Sequence, residues 1–454
     1  MQSILQVPQT VTGPVRLAFK AFVVAGVTVV ILIALYVISG TIDSRQGYRD
    51  EATRSIAQSY AASQTIAGPI LVRPFTVDTH ETHTDAKGVK QIVDGTRDGT
   101  VLSFPHELNI TGVMMPSERR HGLYKVPVYE LQSHLAGSID VRDAPLRDGE
   151  TAHDLVYGKP YLALSVSDVR GIVGTPKMKV DDQPVQMIQG VPDAAPWGPN
   201  LQVPIHLSLD GPHPPMTFAL DLSLDGTEQL NIAPVGDSNH IQLNSAWPSP
   251  LFAGSFLPRS RDVTPQGFKA TWDISSLASA TQTQIAAGAQ SLDGLNVDLI
   301  TPIDPYKLSD RAVKYGILFV IVTFGGFFLF EIMKRLPIHP VQYLLVGLGL
   351  AIFFLLLISF SEHMPFAAAY LAASAACIAL LTFYLTFVLR SVRYGLTFGA
   401  LLTALYANIY GLLISEDNAL ILGSLMLFSL LAVAMYITRN VDWYKGSATA
   451  IPAA

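Results

Sequence analysis

Six apolar runs, each close to the length of a bilayer crossing, constrain this chain more than any short motif. Five crowd the C-terminal third, at residues 315–332, 341–360, 365–389, 395–414 and 419–437, and one stands apart at 21–40. A spanning helix needs about 20 predominantly apolar residues. Charged side chains make up 15% of the chain, against about a quarter in ordinary soluble proteins, so much of it is suited to lipid. The first run, AFVVAGVTVVILIALYVISG, follows Arg16 and Lys20. A cleaved signal peptide is the competing reading, with Val37-x-Ser39 as a loose cleavage site. The apolar core exceeds the roughly 7–15 residues of a signal, so an uncleaved anchor is expected.

The connectors between the later runs alternate in charge. Lys334-Arg335, Arg390 with Arg393, and Arg439 with Lys445 are basic, whereas Glu362-His363 and Glu416-Asp417 hold no Lys or Arg. Short basic loops stay on the cytoplasmic side. One topology satisfies all of them: six spans, both termini inside, and residues 41–311 outside. Tyr315, Tyr343, Tyr394, Trp443 and Tyr444 fall at run ends, where amphipathic rings favour the headgroup layer.

Residues 41–311 hold 21 Lys+Arg against 31 Asp+Glu. An acidic soluble region without a basic stripe excludes nucleic acid as an expected partner. The single cysteine, Cys377, lies within an apolar run, so the soluble region forms no disulfide and has no thiolate nucleophile. Tyr48, Ala52, Ile56 and Tyr60 recur every four residues, which predicts that the first span continues as a helical stalk. Beyond Gly68 the pattern turns to short alternating runs. Strands are expected at 70–74, 100–103, 126–131, 161–166 and 240–244, and a helix at 276–289 capped by Ser275 or Ser276. VPIHLSLDG and TFALDLSLDG repeat LSLDG at 207–211 and 222–226, and alternation ending in Asp-Gly is a hairpin signal. GVPDAAPWGPN at 190–200 is the best internal boundary, which would divide the region into two sandwiched halves.

The fold class expected is an α-helical polytopic membrane protein of six spans, with a large β-rich extracytoplasmic domain between span one and span two. Residues 1–20 form a cytoplasmic tail, 21–40 the anchor, 41–311 the β-rich domain, 312–437 a five-helix membrane domain and 438–454 a second cytoplasmic tail.

Catalytic signatures are missing: no phosphate-binding Gly-x4-Gly-Lys loop, His-Glu-x2-His helix, Gly-x-Ser-x-Gly elbow or paired Cys-x2-Cys occurs. DTHETHTD at 78–85 is the candidate metal site. His80 and His83 would share a helical face beside Asp78, Glu81 and Asp85, but the stretch has no apolar residues to bury a metal, and a strand would set the two imidazoles on opposite faces. A solvated loop is the reading preferred. Glu331 closes the run TFGGFFLFE; it could carry a proton or grip a cation, or pair with Lys334-Arg335 at the inner interface. Gly325-Gly326 permits close helix packing. Glu362 and His363 could act as an acid and a base on one substrate, or form the polar knuckle of an outer hairpin. Trp247 and Trp272 read as core anchors rather than a sugar-stacking platform. No cofactor is expected.

Several segments together carry a resemblance. DGTVLSFPHEL and GVMMPSERRHGLYKVPVYE (98–130), SVSDVRGI (165–172), LNSAWPSPLFAGSFLPRSR and GFKATWDIS (243–275), TPIDPYKLSDRAVKYGILF (301–319) and HPVQYLLVGLGLAIFFLLLISFSEH (339–363) resemble the CreD family of Gram-negative inner-membrane proteins. The likeness runs from about Gln64 to Tyr444. It implies an early span, a large periplasmic domain and a later cluster of spans. It also implies a role in envelope integrity, with links to a two-component system, to β-lactam response and to colicin tolerance. No catalytic residues come with it. His106 in SFPHEL departs from the leucine-proline pair of the family, and the polar stretch 79–91 is long for it.

The function expected is non-enzymatic support of the envelope, with the lipid bilayer and envelope or cell-wall proteins as partners; oligomeric state stays open. The alternatives are a transporter or lipid-handling protein using Glu331, and a membrane-surface enzyme at Glu362 and His363.

Overall fold

The computed structural model describes residues 13–84, 90–147, 150–190, 200–206, 214–300, 304–334, 338–415 and 418–439. Contacts divide the chain into two compact units, one of Met1–Tyr48 with Ile303–Ala454, the other of Arg49–Pro302. The second unit therefore begins and ends a few residues inside the 41–311 read from sequence.

The first unit is helical. Helix α1 (Gly13–Ser59) runs unbroken through the apolar anchor and the stalk, and its last residues belong to the second unit. Helix α2 (Thr281–Ala286) also lies in the second unit. The remaining helices are α3 (Pro305–Lys314), α4 (Gly316–Lys334), α5 (Pro340–Ser361), α6 (Phe366–Val388), α7 (Val392–Ile414) and α8 (Ala419–Thr438). Among the described residues four helices are long and apolar enough to cross a membrane: Phe22–Ser59, α5, α6 and α7. A 40° bend separates α3 from α4, which together would make a fifth, and the apolar stretch Leu420–Val433 of α8 is shorter.

Two segments of the family resemblance turn out to be helix starts. Asp304 accepts from the Tyr306 and Lys307 amides at 3.0 and 3.4 Å, with Pro305 opening α3. His339 Nδ1 accepts from Val341 N at 3.3 Å while Gln342 Oε1 accepts from His339 N at 3.0 Å. That reciprocal capping, with proline at the first helical position, satisfies donors that the helix cannot. A Cβ on Gly325 would meet nothing within 4 Å; close approach occurs instead at Gly347, Gly395 and Gly399.

The second unit is a two-sheet sandwich. Its strands are β1 (Gln64–Thr84), β2 (Lys90–Ser103), β3 (Pro105–His121), β4 (Tyr124–Ile139), β5 (Leu155–Tyr157), β6 (Tyr161–Val166), β7 (Lys177–Val180), β8 (Gln183–Val185), β9 (Ile188–Gln189), β10 (Leu201–Pro204), β11 (Met216–Thr227), β12 (Gln229–Ala233), β13 (Ser238–Ser245), β14 (Pro250–Gly254), β15 (Ser260–Thr264), β16 (Gly267–Ser275) and β17 (Leu295–Leu299). One sheet has the order β14-β17-β12-β1-β6-β10-β9, with β2 and β5 also on β1; the other runs β15-β16-β13-β3-β4-β11-β7-β8. Alternate residues of both sheets meet in a single core, among them Leu71, Leu108, Leu131, Leu220, Ile241 and Trp272.

That shared core replaces the two halves expected from sequence. Residues 191–199 lie outside the described set, but Leu201 pairs with Leu164 across them, and strands from both sides contribute to each sheet. The Asp-Gly at 225–226 is not a turn either: β11 passes through it, Gly226 opposite Tyr129. A Cβ there would sit 2.4 Å from the Tyr129 ring, so the glycine makes room for a buried tyrosine. The break comes at Glu228 instead, with φ +59°, where the chain passes from one sheet to the other. The other LSLDG copy, at 207–211, is outside the described residues. The predicted helix 276–289 is a 3₁₀ turn at Ser276–Ala278, capped by Ser275, followed by the shorter α2.

SVSDVRGI forms a clamp on the end of α1. The Arg170 guanidinium binds both Asp168 oxygens, at 2.9 and 2.6 Å, and donates to the Ala57 and Gln58 carbonyls. A cation on the last open carbonyls complements the negative end of the helix. Asp168 also accepts from the Ala62 amide at 3.0 Å. Beneath it the Gln64 amide is 1% exposed and fully engaged, donating to the Asp168 and Asp225 carbonyls and accepting from Asp168 N and Ser167 Oγ. A Cβ on Gly171 would stand 2.3 Å from Gln64 Nε2.

The Arg170 hydrogen bonds hold the Asp168 carboxyl down to about 2. Because folding lowers this pKa, the clamp is intact above the free carboxyl value of about 3.9 and is lost as pH falls through about 2. Hydrogen exchange of the full-length protein, corrected for intrinsic rates, should show Ala62 protection falling over that window. Asp168→Asn should remove the pH step and cost on the order of tenfold in protection at neutral pH. Unchanged protection would refute the clamp.

Candidate functional site: a polar sheet face and two buried acids

The outward face of the eight-stranded sheet is a broad surface that strand pairing organises. Alternation along β3, β4, β11 and β13 sends leucine, isoleucine and methionine inward and polar side chains outward. Register then aligns one residue from each of seven strands: Lys177, Asp221, His134, Thr111, Gln242, Thr271 and Ser260. His134 Nδ1 lies 2.6 Å from Asp221 Oδ1, and on a neighbouring row His240 Nδ1 lies 2.6 Å from Asp273 Oδ1. A trough of about 500 Å³ crosses the face, lined by Thr111, Gln132, His134, Thr175, Lys177, Asp221, Ser223 and Asn244 among others. Asn244 Oδ1 is buried on its wall without a hydrogen-bond partner.

This surface offers amides, hydroxyls and balanced charge. Among the described residues no serine, threonine or cysteine hydrogen-bonds either imidazole, so the His–Asp pairs lack the nucleophile of a triad. The arrangement suits binding of a polar partner. Both tryptophans lie elsewhere: Trp272 is 1% exposed, its Nε1 donating to Phe256 O at 3.2 Å, and Trp247 packs on the core and donates to Ile300 O at 3.0 Å.

The sequence candidates are distributed differently. His80 and His83 stand on β1, opposite Asp94 and Gln91 of β2, so 78–84 is an arm of a hairpin rather than a loop or helix; Asp85 lies outside the described residues. His106 sits exposed at the start of β3, 3.7 Å from Asp237.

Glu331 is 6% exposed on α4, and the Tyr343 hydroxyl donates to its Oε2 at 2.9 Å. Tyr343 is itself 1% exposed, packed by Phe324 and Phe327. Tyr343, read from sequence as a headgroup-layer ring, makes a buried bond to an acid on the preceding helix. The Lys334 and Arg335 side chains, offered by sequence as partners of Glu331, lie outside the described residues.

Glu362 and His363 part company. The Glu362 side chain is 7% exposed, with Arg45 Nε of α1 at 3.4 Å and the Tyr306 hydroxyl of α3 also at 3.4 Å. His363 is exposed, its Nδ1 3.1 Å from Ser359 O. The two side chains thus have different partners. Glu362 ties three helices together, which no spacing rule could reveal because Arg45 and Tyr306 come from distant segments.

An apolar N-terminal helix, a β-sandwich unit and a set of apolar helices define a membrane protein with a large folded β-rich unit. The chain belongs to the CreD family: the profile of the family described as Inner membrane protein CreD matches residues 16–444. Inner membrane protein CreD of Escherichia coli (strain K12) is 33% identical over 429 residues, covering 93% of this chain and 92% of that protein. Among solved structures, an M1 zinc metallopeptidase mutant from Deinococcus radiodurans gives a TM-score of 0.23 at 10% identity, over 43% of this chain and 42% of that one. A putative nutrient binding protein from Legionella pneumophila gives 0.25 at 10% identity, over 47% and 82%. Likeness at that level carries no functional argument.

Glu362→Ala should lower the thermal stability of the detergent-solubilised protein, since it removes the carboxylate that joins α5 to Arg45 and Tyr306, whereas His363→Ala should leave it unchanged. Equal effects of the two substitutions would contradict the tie.

Proposed function

We propose that this chain is a non-catalytic inner-membrane protein that supports envelope integrity, including the response to β-lactams and colicins. In this reading the chain crosses the membrane six times with both termini cytoplasmic. The sandwich unit faces the periplasm and binds an envelope or cell-wall protein through the polar face of its eight-stranded sheet. The observation that carries it is the row of seven outward polar residues across seven strands. The charge-sorted connectors support the topology.

Because His134, Asp221 and Thr111 are exposed, changing them should alter stability by no more than about 0.5 kcal/mol. A His134→Ala, Asp221→Ala, Thr111→Lys variant should accumulate normally in the membrane. It should nevertheless fail to restore β-lactam, detergent or colicin tolerance to a deletion strain. Full restoration would remove the sheet face from the proposal.

A second reading, transport or lipid handling, draws on the burial of Glu331 against Tyr343, since an ionisable group within apolar helices is costly to keep. Glu331→Gln still accepts the Tyr343 hydroxyl and loses only the charge. Under this reading it abolishes complementation at unchanged abundance; normal complementation rejects the reading.

A further inference from the structure

Helices α6 and α7 are joined by only three residues, so they run antiparallel. Between them lies a groove of about 1080 Å³ that none of the readings above uses. It extends from Ala367 to Thr386, about 29 Å at 1.5 Å per residue, close to the roughly 30 Å of a hydrocarbon core. Its walls carry small residues, among them Ala375, Ala379 and Ala400, and its rims carry Leu371, Phe383 and Leu396, which are 71%, 66% and 60% exposed. Gly395 and Gly399 let the helices close at one end, where a Cβ would stand 2.2 Å from Thr386 Oγ1 and 2.4 Å from Thr382 Oγ1.

The two ends differ in charge. The Thr386–Leu396 end adjoins the connector that carries Arg390 and the first turn of α7 that carries Arg393, both exposed and without an ion-pair partner among the described residues. No acidic residue occurs in either helix, and the acids nearest in sequence, Glu362 and Glu416-Asp417, adjoin the opposite end. Thr382, on the groove wall, has a buried hydroxyl without a hydrogen-bond partner. An apolar trench of acyl-chain character, with two arginines on the chain next to one end and no acid there, complements one kind of molecule.

We propose that the α6–α7 groove binds an anionic phospholipid, its acyl chain along the trench and its phosphate on Arg390 and Arg393. Arginine suits the phosphate because its planar fork pairs two oxygens at once. Near a membrane surface each such cation strengthens binding of anionic lipid severalfold. A helix from a second copy would fill the trench but leave both guanidiniums unmatched.

The test uses the full-length protein in phosphatidylcholine nanodiscs doped with phosphatidylglycerol that carries a diazirine in one acyl chain. Matched phosphatidylcholine probe serves as the control. Phosphatidylglycerol adducts should concentrate on α6 and α7 groove residues, several-fold above the control probe. Arg390→Gln with Arg393→Gln should reduce them on the order of tenfold; Ala379→Phe, which blocks the trench, should remove adducts from both probes there. Equal labelling by the two probes, adducts spread evenly over the exposed faces of α5 and α8, or an unchanged pattern in the arginine variant would each overturn the site. So would crosslinking between two copies through Leu371→Cys, which would give the groove to protein.

Discussion

The pairing of β3 with β4, and of β4 with β11, governs what this molecule can present to a partner. A strand alternates with period two, so a slip of one residue would carry Leu131 and Leu135 out to solvent and bury His134. The apolar face pins the register because it fills the core shared with the other sheet. The polar face then follows without any further interaction to specify it. The alignment of Lys177, Asp221, His134 and Thr111 is thus a consequence of hydrophobic burial on the side of the sheet that no partner would touch.

A second constraint acts where α1 meets the sandwich. A helix that ends beside a sheet leaves its last carbonyls open, and SVSDVRGI closes them with one side chain. Arg170 is useful only because Asp168 holds its fork in place, Gln64 braces the Asp168 backbone, and Gly171 leaves room for Gln64. Ser167, Asp168, Arg170 and Gly171 each have a geometric reason to be there. The same holds for HPVQ and IDP, which are caps that start α5 and α3. The wording by which this chain resembles its family is, at these places, the wording of helix ends.

The two acids within the helical unit share a solution. A carboxylate removed from water keeps its cost low by accepting from a neighbouring helix, and both Glu331 and Glu362 accept from a tyrosine hydroxyl there, Tyr343 and Tyr306. Glu362 adds Arg45. The difference lies in position: Glu362 is at the C-terminal end of α5, and Glu331 lies on α4 against a tyrosine that Phe324 and Phe327 pack. That contrast makes Glu331 the more informative residue to neutralise and Glu362 the more informative one to truncate.

Hydropathy and local chemistry were legible from residues alone: the apolar runs, the helical continuation through Tyr48–Tyr60 and the strand alternation each depend on neighbours within a few positions. The turn at 225–226 was misread because Asp-Gly also serves where a distant ring, Tyr129, needs space, and the halves divided at 190–200 dissolved because strands far apart in sequence share both sheets. For the same reason His134 and Asp221 were invisible as a pair, as were Glu362 and Arg45. Sequence by itself determined which segments are apolar, where helices begin and which strand faces turn inward, since those are set by short-range pattern. Only the tertiary structure decided which strands stand side by side and which helices share an acid, because contacts between distant residues depend on register and packing that no local pattern encodes.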